Sequence, residues 1–448
     1  MNQISLRDFR CFRNEQVARL APLTLLVGEN STGKTSFLAL IRALWDIGFR
    51  HRVPDFKEEP YDLGSFDEIA HHRGARGGRT NRFSAGFSVA STDGSGSYRF
   101  SVTFGKQGTV PFPVQRSLTR GDRWIDERIA AGGFPKVYAG TSRGSWRLRA
   151  PRDVHSIDLN QDVLNPLIYS VVTVGAAVAD YFPGTPEPQN GSPEMGEEDW
   201  DALQGFAVEA PIGGLESVSS RPFASAPVRS RPRRTYDPAR PMTDPEGAGI
   251  PMYLADVFFR SSGSWSNLKT RLEEFGRTAG LFDEIAIKSL GTGDAGPFQL
   301  QIRKYGGSLK GPRRNLIDVG YGVSQVLPIV TELLRQEVHP MFLLQQPEVH
   351  LHPSAQAALG SLLCQIASPD RQLVVETHSD HLLDRIRMDV RDRTSHLKPN
   401  DVSILFFERN GLDVRIHSLC IDQEGNVRHT PDGYRKFFLE ETQRSLGL

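Results

Sequence analysis

Residues 23–35 read Leu23-Thr24-Leu25-Leu26-Val27-Gly28-Glu29-Asn30-Ser31-Thr32-Gly33-Lys34-Thr35, an apolar run that passes directly into G-x-x-x-x-G-K-T. A strand, a glycine-bearing loop and a helix in that order make a phosphate-binding loop, and this decides the fold class as α/β. The glycines let the backbone curl so that successive N–H groups point inward at phosphate oxygens. The helix that begins there adds the positive end of its dipole. Lys34 is the residue to bridge the β- and γ-phosphates, and the Thr35 hydroxyl the one to ligate Mg²⁺. An amphipathic helix over Lys34–Trp45, opening on Lys34-Thr35-Ser36, supplies the context that the loop requires.

The chain has 448 residues, with 53 Lys+Arg against 53 Asp+Glu. Zero formal charge excludes a generally basic nucleic-acid coat, so any such surface must be a local patch. Cys11, Cys364 and Cys420 form no C-x-x-C pair, which points to a reducing compartment without structural zinc or disulfides. No apolar run reaches the length of about 18 residues that a membrane span needs. The first ten residues carry no apolar signal core. A cytoplasmic protein without membrane contact is expected.

Ile4–Phe12 alternates as a first strand. Phe83–Phe104 alternates on either side of Asp93-Gly94-Ser95-Gly96, a hairpin pattern. Residues 1–140 are therefore expected to form an N-terminal lobe of antiparallel strands joined to the phosphate-loop core. Composition then changes. Asn165–Tyr181 predicts a helix, and the Pro-rich, acidic run from Pro183 to Asp199 predicts mobility. Arg221, Arg229, Arg231, Arg233, Arg234 and Arg240 follow as a basic stretch. Residues 141–250 are expected to be an insertion of unknown fold with its own binding surface. In 251–448 the pattern predicts helices over Trp265–Arg277, Val326–Glu337, Ser354–Ile366, Asp380–Arg387 and Tyr434–Leu446. It predicts strands over Phe298–Lys304, Met341–Leu344 and Gln372–Glu376, and a hairpin of Ser403–Glu408 with Leu412–Ser418. No internal repeat or heptad run is present.

Three later segments complete a nucleotide site. Asp318-Val-Gly320-Tyr-Gly322-Val-Ser324-Gln325 is a small, polar turn leading into a helix, a second phosphate cradle. A single chain does not need two cradles for one nucleotide, which suggests that this one serves a nucleotide held by another subunit. Met341-Phe-Leu-Leu-Gln345-Gln346-Pro347-Glu348-Val-His350-Leu-His352-Pro353 is an apolar strand ending in polar residues. Leu373-Val-Val-Glu376-Thr377-His378-Ser379-Asp380 is another. Both deliver polar groups to the carboxyl edge of a sheet, where α/β proteins bind ligands.

Taken together these residues resemble the ABC-type ATPase heads of the RecF/SMC class, and among them the bacterial ATPases grouped with the OLD and Septu-type defence proteins. The resemblance covers about 1–45 and 315–448. It implies ATP and Mg²⁺ as cofactors. Gly28, Glu29, Asn30, Ser31, Thr32, Gly33, Lys34, Thr35 and Ser36 take the place of the Walker A loop. Gly322, Ser324 and Gln325 take that of the signature turn, and Leu344–Glu348 that of the Walker B end. His352 falls near the D-loop, His378 at the H-loop, and Arg10 at an N-terminal position often close to the base. Such heads are expected to form a homodimer or higher oligomer with ATP sandwiched between the Walker A loop of one subunit and the signature turn of the other.

The family pattern has an acidic residue at 345 or 346, or at both, where this chain has Gln345 and Gln346. The first acid holds Mg²⁺ through water and the second polarises the attacking water. Glutamine carries no charge and is no base. Three readings stay open: ATP acts as a slowly hydrolysed clamp, Glu348 takes over as base, or one glutamine is a change introduced to trap ATP. With Thr35 and Gln345 as the Mg²⁺ residues, the candidate catalytic set is Gln345, Gln346, Glu348 and His378. A separate metal site at His350 and His352 is a lesser alternative.

The Arg221–Arg240 stretch is read either as a phosphate contact for DNA or as a solvated loop. His71, His72, Arg73, Arg76, Arg79 and Arg82 form another basic loop, and Tyr305–Arg314 reads as a turn with solvated charges. Phe437-Phe438 and Glu440-Glu441 read as part of a packed terminal helix. No nuclease domain is recognisable, so the resemblance implies a sensor or scaffold subunit of an anti-phage complex with an effector nuclease on a separate chain. A RecF-like repair ATPase and a non-hydrolysing ATP-clamped module are the alternatives.

Overall fold

The computed structural model describes residues 1–74, 78–90, 96–129, 136–148, 157–158, 163–164, 186–210, 220–237, 244–291, 296–335 and 339–434. They build an α/β protein with two large sheets. The chain divides into two compact units, each gathered from separated stretches: Met1–Leu20, Glu29–Arg221 and Phe407–His417 in one, Ala21–Gly28, Pro222–Phe406 and Ser418–Leu448 in the other.

The core sheet has seven strands: β1 (Leu23–Gly28), β2 (Phe223–Ala224), β3 (Met341–Gln345), β4 (Gln372–Glu376), β5 (Val402–Asn410), β6 (Asp413–Ile421) and β7 (Val427–Arg428). Their order is β2-β3-β4-β1-β5-β6-β7. From β2 to β1 the pairing is parallel, with Leu343 opposite Val374 and Val374 opposite Thr24. Strands covered on both faces read as unbroken apolar runs, and Met341–Leu344 and Leu373–Val375 are fully buried. Four helices matter for the site: α1 (Lys34–Phe49), α2 (Tyr321–Leu334), α3 (Pro353–Ile366) and α4 (Asp380–Arg391). The last three pack Val326, Ile329, Leu359, Leu363, Leu382 and Ile386 into one core with Leu344 and Val375. Because β1, β3 and β4 are parallel neighbours, Gly28, Gln345 and Glu376 leave the sheet at one edge.

The first-named unit contains a nine-stranded antiparallel sheet. Its order is Glu187–Gln189, Gly144–Leu148, Lys136–Thr141, Arg123–Arg128, Val110–Arg120, Ser97–Gln107, Arg82–Ala90, Gln3–Arg7 and Gln16–Arg19. Alternation buries Phe83, Phe87, Phe100 and Phe104. The cross-strand pair Phe83 and Phe104 stacks at 4.8 Å between centroids.

Several expectations need correction. The first strand ends at Arg7, not Phe12, because Asp8 and Arg10 take φ of 55° and 50° and turn the chain. The run read as mobile after Pro183 contains an edge strand, Glu187–Gln189, paired with Ser145–Arg147, and a helix, Glu197–Val208. Gly196 precedes that helix, and three acids in its first turn suit the helix dipole. Between 110 and 148 lie four strands that the pattern did not announce. The Tyr305 turn, by contrast, is the exposed hairpin expected, Tyr305–Gly306 against Leu309–Lys310. The expected helices at Asn165–Tyr181 and Tyr434–Leu446, together with Asp93–Ser95, Arg76, Arg240, Phe437-Phe438 and Glu440-Glu441, lie wholly or largely outside the described residues.

Candidate functional site

β1 ends at Gly28, whose φ is 140°, and the loop runs into α1 through Ser31 at 62° and Gly33 at 88°. Gly33 is required twice over. A side chain there would adopt a left-handed backbone, and its Cβ would sit 2.6 Å from Cys11 Sγ and 2.9 Å from the Phe12 ring. Thr32 Oγ1 donates to Glu29 O at 2.8 Å, and Lys34 Nζ donates to the same carbonyl at 2.6 Å. Cys11 Sγ donates to Thr32 O at 3.7 Å, and the Arg409 guanidinium donates to Ser31 O. Burial pushes the Cys11 thiol up to about 11, so it stays protonated. Thr32 and Lys34 are buried, Thr35 and Ser36 half-buried, and Glu29, Asn30 and Ser31 exposed. The loop is thus braced from below with its apex open.

Arg10 is held in the neighbouring turn. Its N–H donates to Ile69 O at 2.7 Å and its Nη1 to Glu68 O at 3.1 Å, while His71 Nδ1 meets its carbonyl at 2.8 Å. Burial lowers the Arg10 pKa from its ordinary value. Other members of the basic loop are engaged nearby: Arg73 with Asp8 at 3.6 Å, Arg79 with Ala70 O at 3.3 Å, and His71 Nε2 with Asp413 at 3.5 Å.

The second half lies at the ends of β3 and β4. Gln345 is buried, with its Nε2 donating to Ser225 O at 3.2 Å and its N–H donating to Ser225 Oγ at 3.1 Å. Gln346 takes a left-handed φ of 41° and donates its N–H to Glu376 O at 2.8 Å. Glu348 is buried. Its Oε1 accepts from Thr377 Oγ1 and from the His378 N–H, both at 2.8 Å. Its Oε2 is buried with no hydrogen-bond partner among the described residues. Burial raises the Glu348 pKa against the opposing pull of these bonds and of Arg229. Its place just past a strand end is what marks Glu348 in the sequence. Thr377 stands in the segment after β4 but was given no role, and Ser225 and Arg229 carry no such signal.

The helix expected from Val326 begins already at Tyr321, and a Cβ on Gly322 in its first turn would lie 2.7 Å from His350 O, so this turn and the loop after β3 touch backbone to backbone. Tyr321 packs edge-on against His350 at 4.8 Å. Ser324 is buried and donates to Tyr321 O at 2.8 Å, within its own turn. Gln325 is buried; its Oε1 accepts from the Arg229 N–H at 3.4 Å, and its Nε2 has no partner among the described residues.

Of the described arginines in the basic stretch, Arg229 is buried, Arg221 is half-buried and the other three are exposed. Arg221 pairs with Asp46 and, at 2.6 Å, with Glu58. Arg229 is 2% exposed. Arg234 pairs with Asp318 at 2.6 Å. Arg231 and Arg233 remain exposed. Neither of the two readings offered for the stretch, DNA contact or solvated loop, describes Arg221 and Arg229. Among the described residues no group of three or more His, Cys, Asp or Glu is placed to hold a metal ion, so His350 and His352 belong to no such cluster.

The donors fit a Mg²⁺-nucleotide. The Thr35 hydroxyl would serve a cation that keeps most of its waters. The loop amides and Lys34 would serve its phosphates.

Residues 224–384 match the family model described as "AAA domain, putative AbiEii toxin, Type IV TA system". An OLD nuclease of Thermus scotoductus is 30% identical over 164 residues, which is 32% of this chain and 30% of that protein. The chain therefore spans about a third of that relative's length. Among solved structures, an Smc head bound to the C-terminal winged-helix domain of ScpA covers 94% of this chain, and 98% of its own length is covered, at 11% identity and a TM-score of 0.45. The SMC head domain of Thermotoga maritima covers 93%, with 97% of its own length, at 12% identity and a TM-score of 0.36. No helix among the described residues is long and apolar enough to cross a membrane.

Proposed function

We propose that this chain binds Mg²⁺-ATP on Gly28–Ser36 and hydrolyses it slowly, with Glu348 as the base in place of the acids missing at 345 and 346. The observation that carries this reading is the carboxylate of Glu348. It is buried, fixed through one oxygen, and has its second oxygen without a partner, on a sheet edge shared with the strand that feeds the phosphate loop. A buried carboxyl with a raised pKa is a chemically suitable base. In the reaction a water oxygen bonds to the γ-phosphorus as the bond to the β-phosphate oxygen breaks, and the water proton passes to Glu348 Oε2. ADP and phosphate leave, and the proton returns to solvent. Mg²⁺, when bound, would neutralise phosphate charge. Lys34 and the loop amides orient the phosphates. His378, at the end of β4, would reach the γ-phosphate, and Arg10 the base side.

Two chains are proposed to pair with ATP between the loop of one and the Gly322-Ser324-Gln325 turn of the other. The OLD relative supports a role in defence, in which this subunit senses or scaffolds, contacts DNA, and works with a nuclease on another chain. A second reading, ATP as a clamp without turnover, is favoured by one observation: the Gln345 amide is already committed to Ser225 O. Steady-state turnover with Mg²⁺-ATP, on this chain and on Glu348→Gln, tests the two. Turnover that falls to background in the variant supports hydrolysis through Glu348. Binding without turnover in either supports the clamp.

A further inference from the structure

Behind the strand-end turn sits a buried cation that no motif claims. Arg229 Nη2 donates to the carbonyls of both Gln345 and Gln346, each at 3.2 Å, and Nη1 donates to Pro227 O at 3.1 Å. Its own N–H donates to Gln325 Oε1. The residue arrives there because β2 lies beside β3, Ala224 opposite Leu343, and the Ser225 N–H continues the ladder to Leu343 O at 2.9 Å. The chain then crosses the carboxyl end of β3.

A guanidinium taken out of water destabilises the fold unless its donors and its charge are answered. Here the donors grip two consecutive carbonyls on either side of a left-handed Gln346, a conformation that needs neighbours to hold it. Desolvation lowers the Arg229 pKa to about 10, against the attraction of Glu348 and Tyr321. Arg229 Nε and Glu348 Oε2 are both buried without a partner among the described residues. With neutral side chains at 345 and 346, Arg229 and Glu348 are the opposite charges of this turn, bordered by Glu376 at the end of β4, His378 just past it and Tyr321 on α2.

We propose that Arg229 is a positioning residue for ATP hydrolysis: it fixes the Gln345–Glu348 turn, ties it to the Gln325 helix, and faces Glu348 as its counter-charge. This rests on the hydrolytic reading above.

The test uses the full chain, Arg229→Gln and Arg229→Lys, with Mg²⁺-ATP binding, kcat, KM and melting midpoint measured on each. Arg229→Gln is expected to lower kcat about tenfold or more while KM and the binding constant stay within about threefold. Arg229→Lys keeps the charge but not the fork, and is expected to recover part of kcat. Unchanged kcat in Arg229→Gln overturns the inference. So does a fall in kcat, binding and melting midpoint together that lysine does not repair, which marks a purely structural arginine. If the parent binds ATP without turnover, the comparison moves to Gln346→Glu with and without Arg229. Equal rates there, or none, also overturn it. Failure of the parent to bind ATP at all is a different result, and sinks the nucleotide reading itself.

Discussion

Thr377 Oγ1 donates to Glu348 Oε1 at 2.8 Å, joining the turn after β3 to the end of β4 through a buried carboxylate. The adjacent His378 N–H reaches the same oxygen at 2.8 Å. One carboxylate oxygen is thus fully occupied while the other has no partner. A purely structural glutamate in an interior would have both satisfied.

Glu348→Gln keeps an acceptor for Thr377 and His378 but removes the base. Turnover is expected to fall about 10²–10⁴-fold, with Mg²⁺-ATP affinity nearly unchanged. Phosphate release and a binding titration on the same preparation check this. An active variant would show that another group takes the proton.

Stability should move the opposite way. A carboxyl whose folded pKa is raised, as burial does to Glu348, favours the folded state below its unfolded value, and that contribution is lost as pH climbs through the raised value. Above that window the parent carries a buried charge and Glu348→Gln does not. The variant is expected to melt higher near pH 8, with the gap closing by about pH 4. A gap that widens on acidification contradicts the assignment.

Gly33→Ala meets two obstacles, a φ of 88° and Cys11 Sγ at 2.6 Å from the new Cβ. The left-handed backbone alone costs roughly 1–2 kcal/mol. Gly411→Ala has a similar φ of 64° and nothing within 4 Å. Nucleotide affinity is expected to drop about tenfold or more for Gly33→Ala, since 1.4 kcal/mol is a decade, and to hold for Gly411→Ala. Equal affinities would mean that the close approach to Cys11 is irrelevant to the loop.

The parts legible in the sequence were those whose physics is local. A strand, a glycine loop and a helix at 23–49 follow from apolar runs and backbone conformation, and β3, α3, β4 and α4 from unbroken apolar strands and capped helices. The antiparallel strands between 110 and 148 were not. Pro111 and Pro113 weaken a strand signal, and the pairing partners that make these strands lie in other segments. Glu187–Gln189 is a strand only because Ser145–Arg147 offers an edge. Of the site, loop and strand-end residues were readable. Arg229 was not, because the ladder between β2 and β3 turns an apparent surface arginine inward, and nothing in a run of arginines distinguishes the buried one.

The same stretch yields a stability contrast. Arg221 closes a cluster with Asp46 and Glu58, which also hold Arg50 at 2.8 Å and Arg42 at 2.6 Å. Arg221→Ala is expected to lower unfolding free energy by about 1–3 kcal/mol, whereas exposed Arg231→Ala should stay within about 0.5 kcal/mol. Urea denaturation reads both. An Arg221→Ala protein of full stability that loses DNA affinity would return this arginine to a surface role.

The most direct test of the central claim is calorimetric titration of Mg²⁺-ATP, with molar mass followed by light scattering, on the full chain and on Lys34→Ala. Lys34 Nζ rests on Glu29 O at 2.6 Å, where a phosphate would take it. The account predicts that the parent binds ATP and doubles in mass, and that Lys34→Ala does neither. Equal binding by both proteins, or binding by neither, contradicts it.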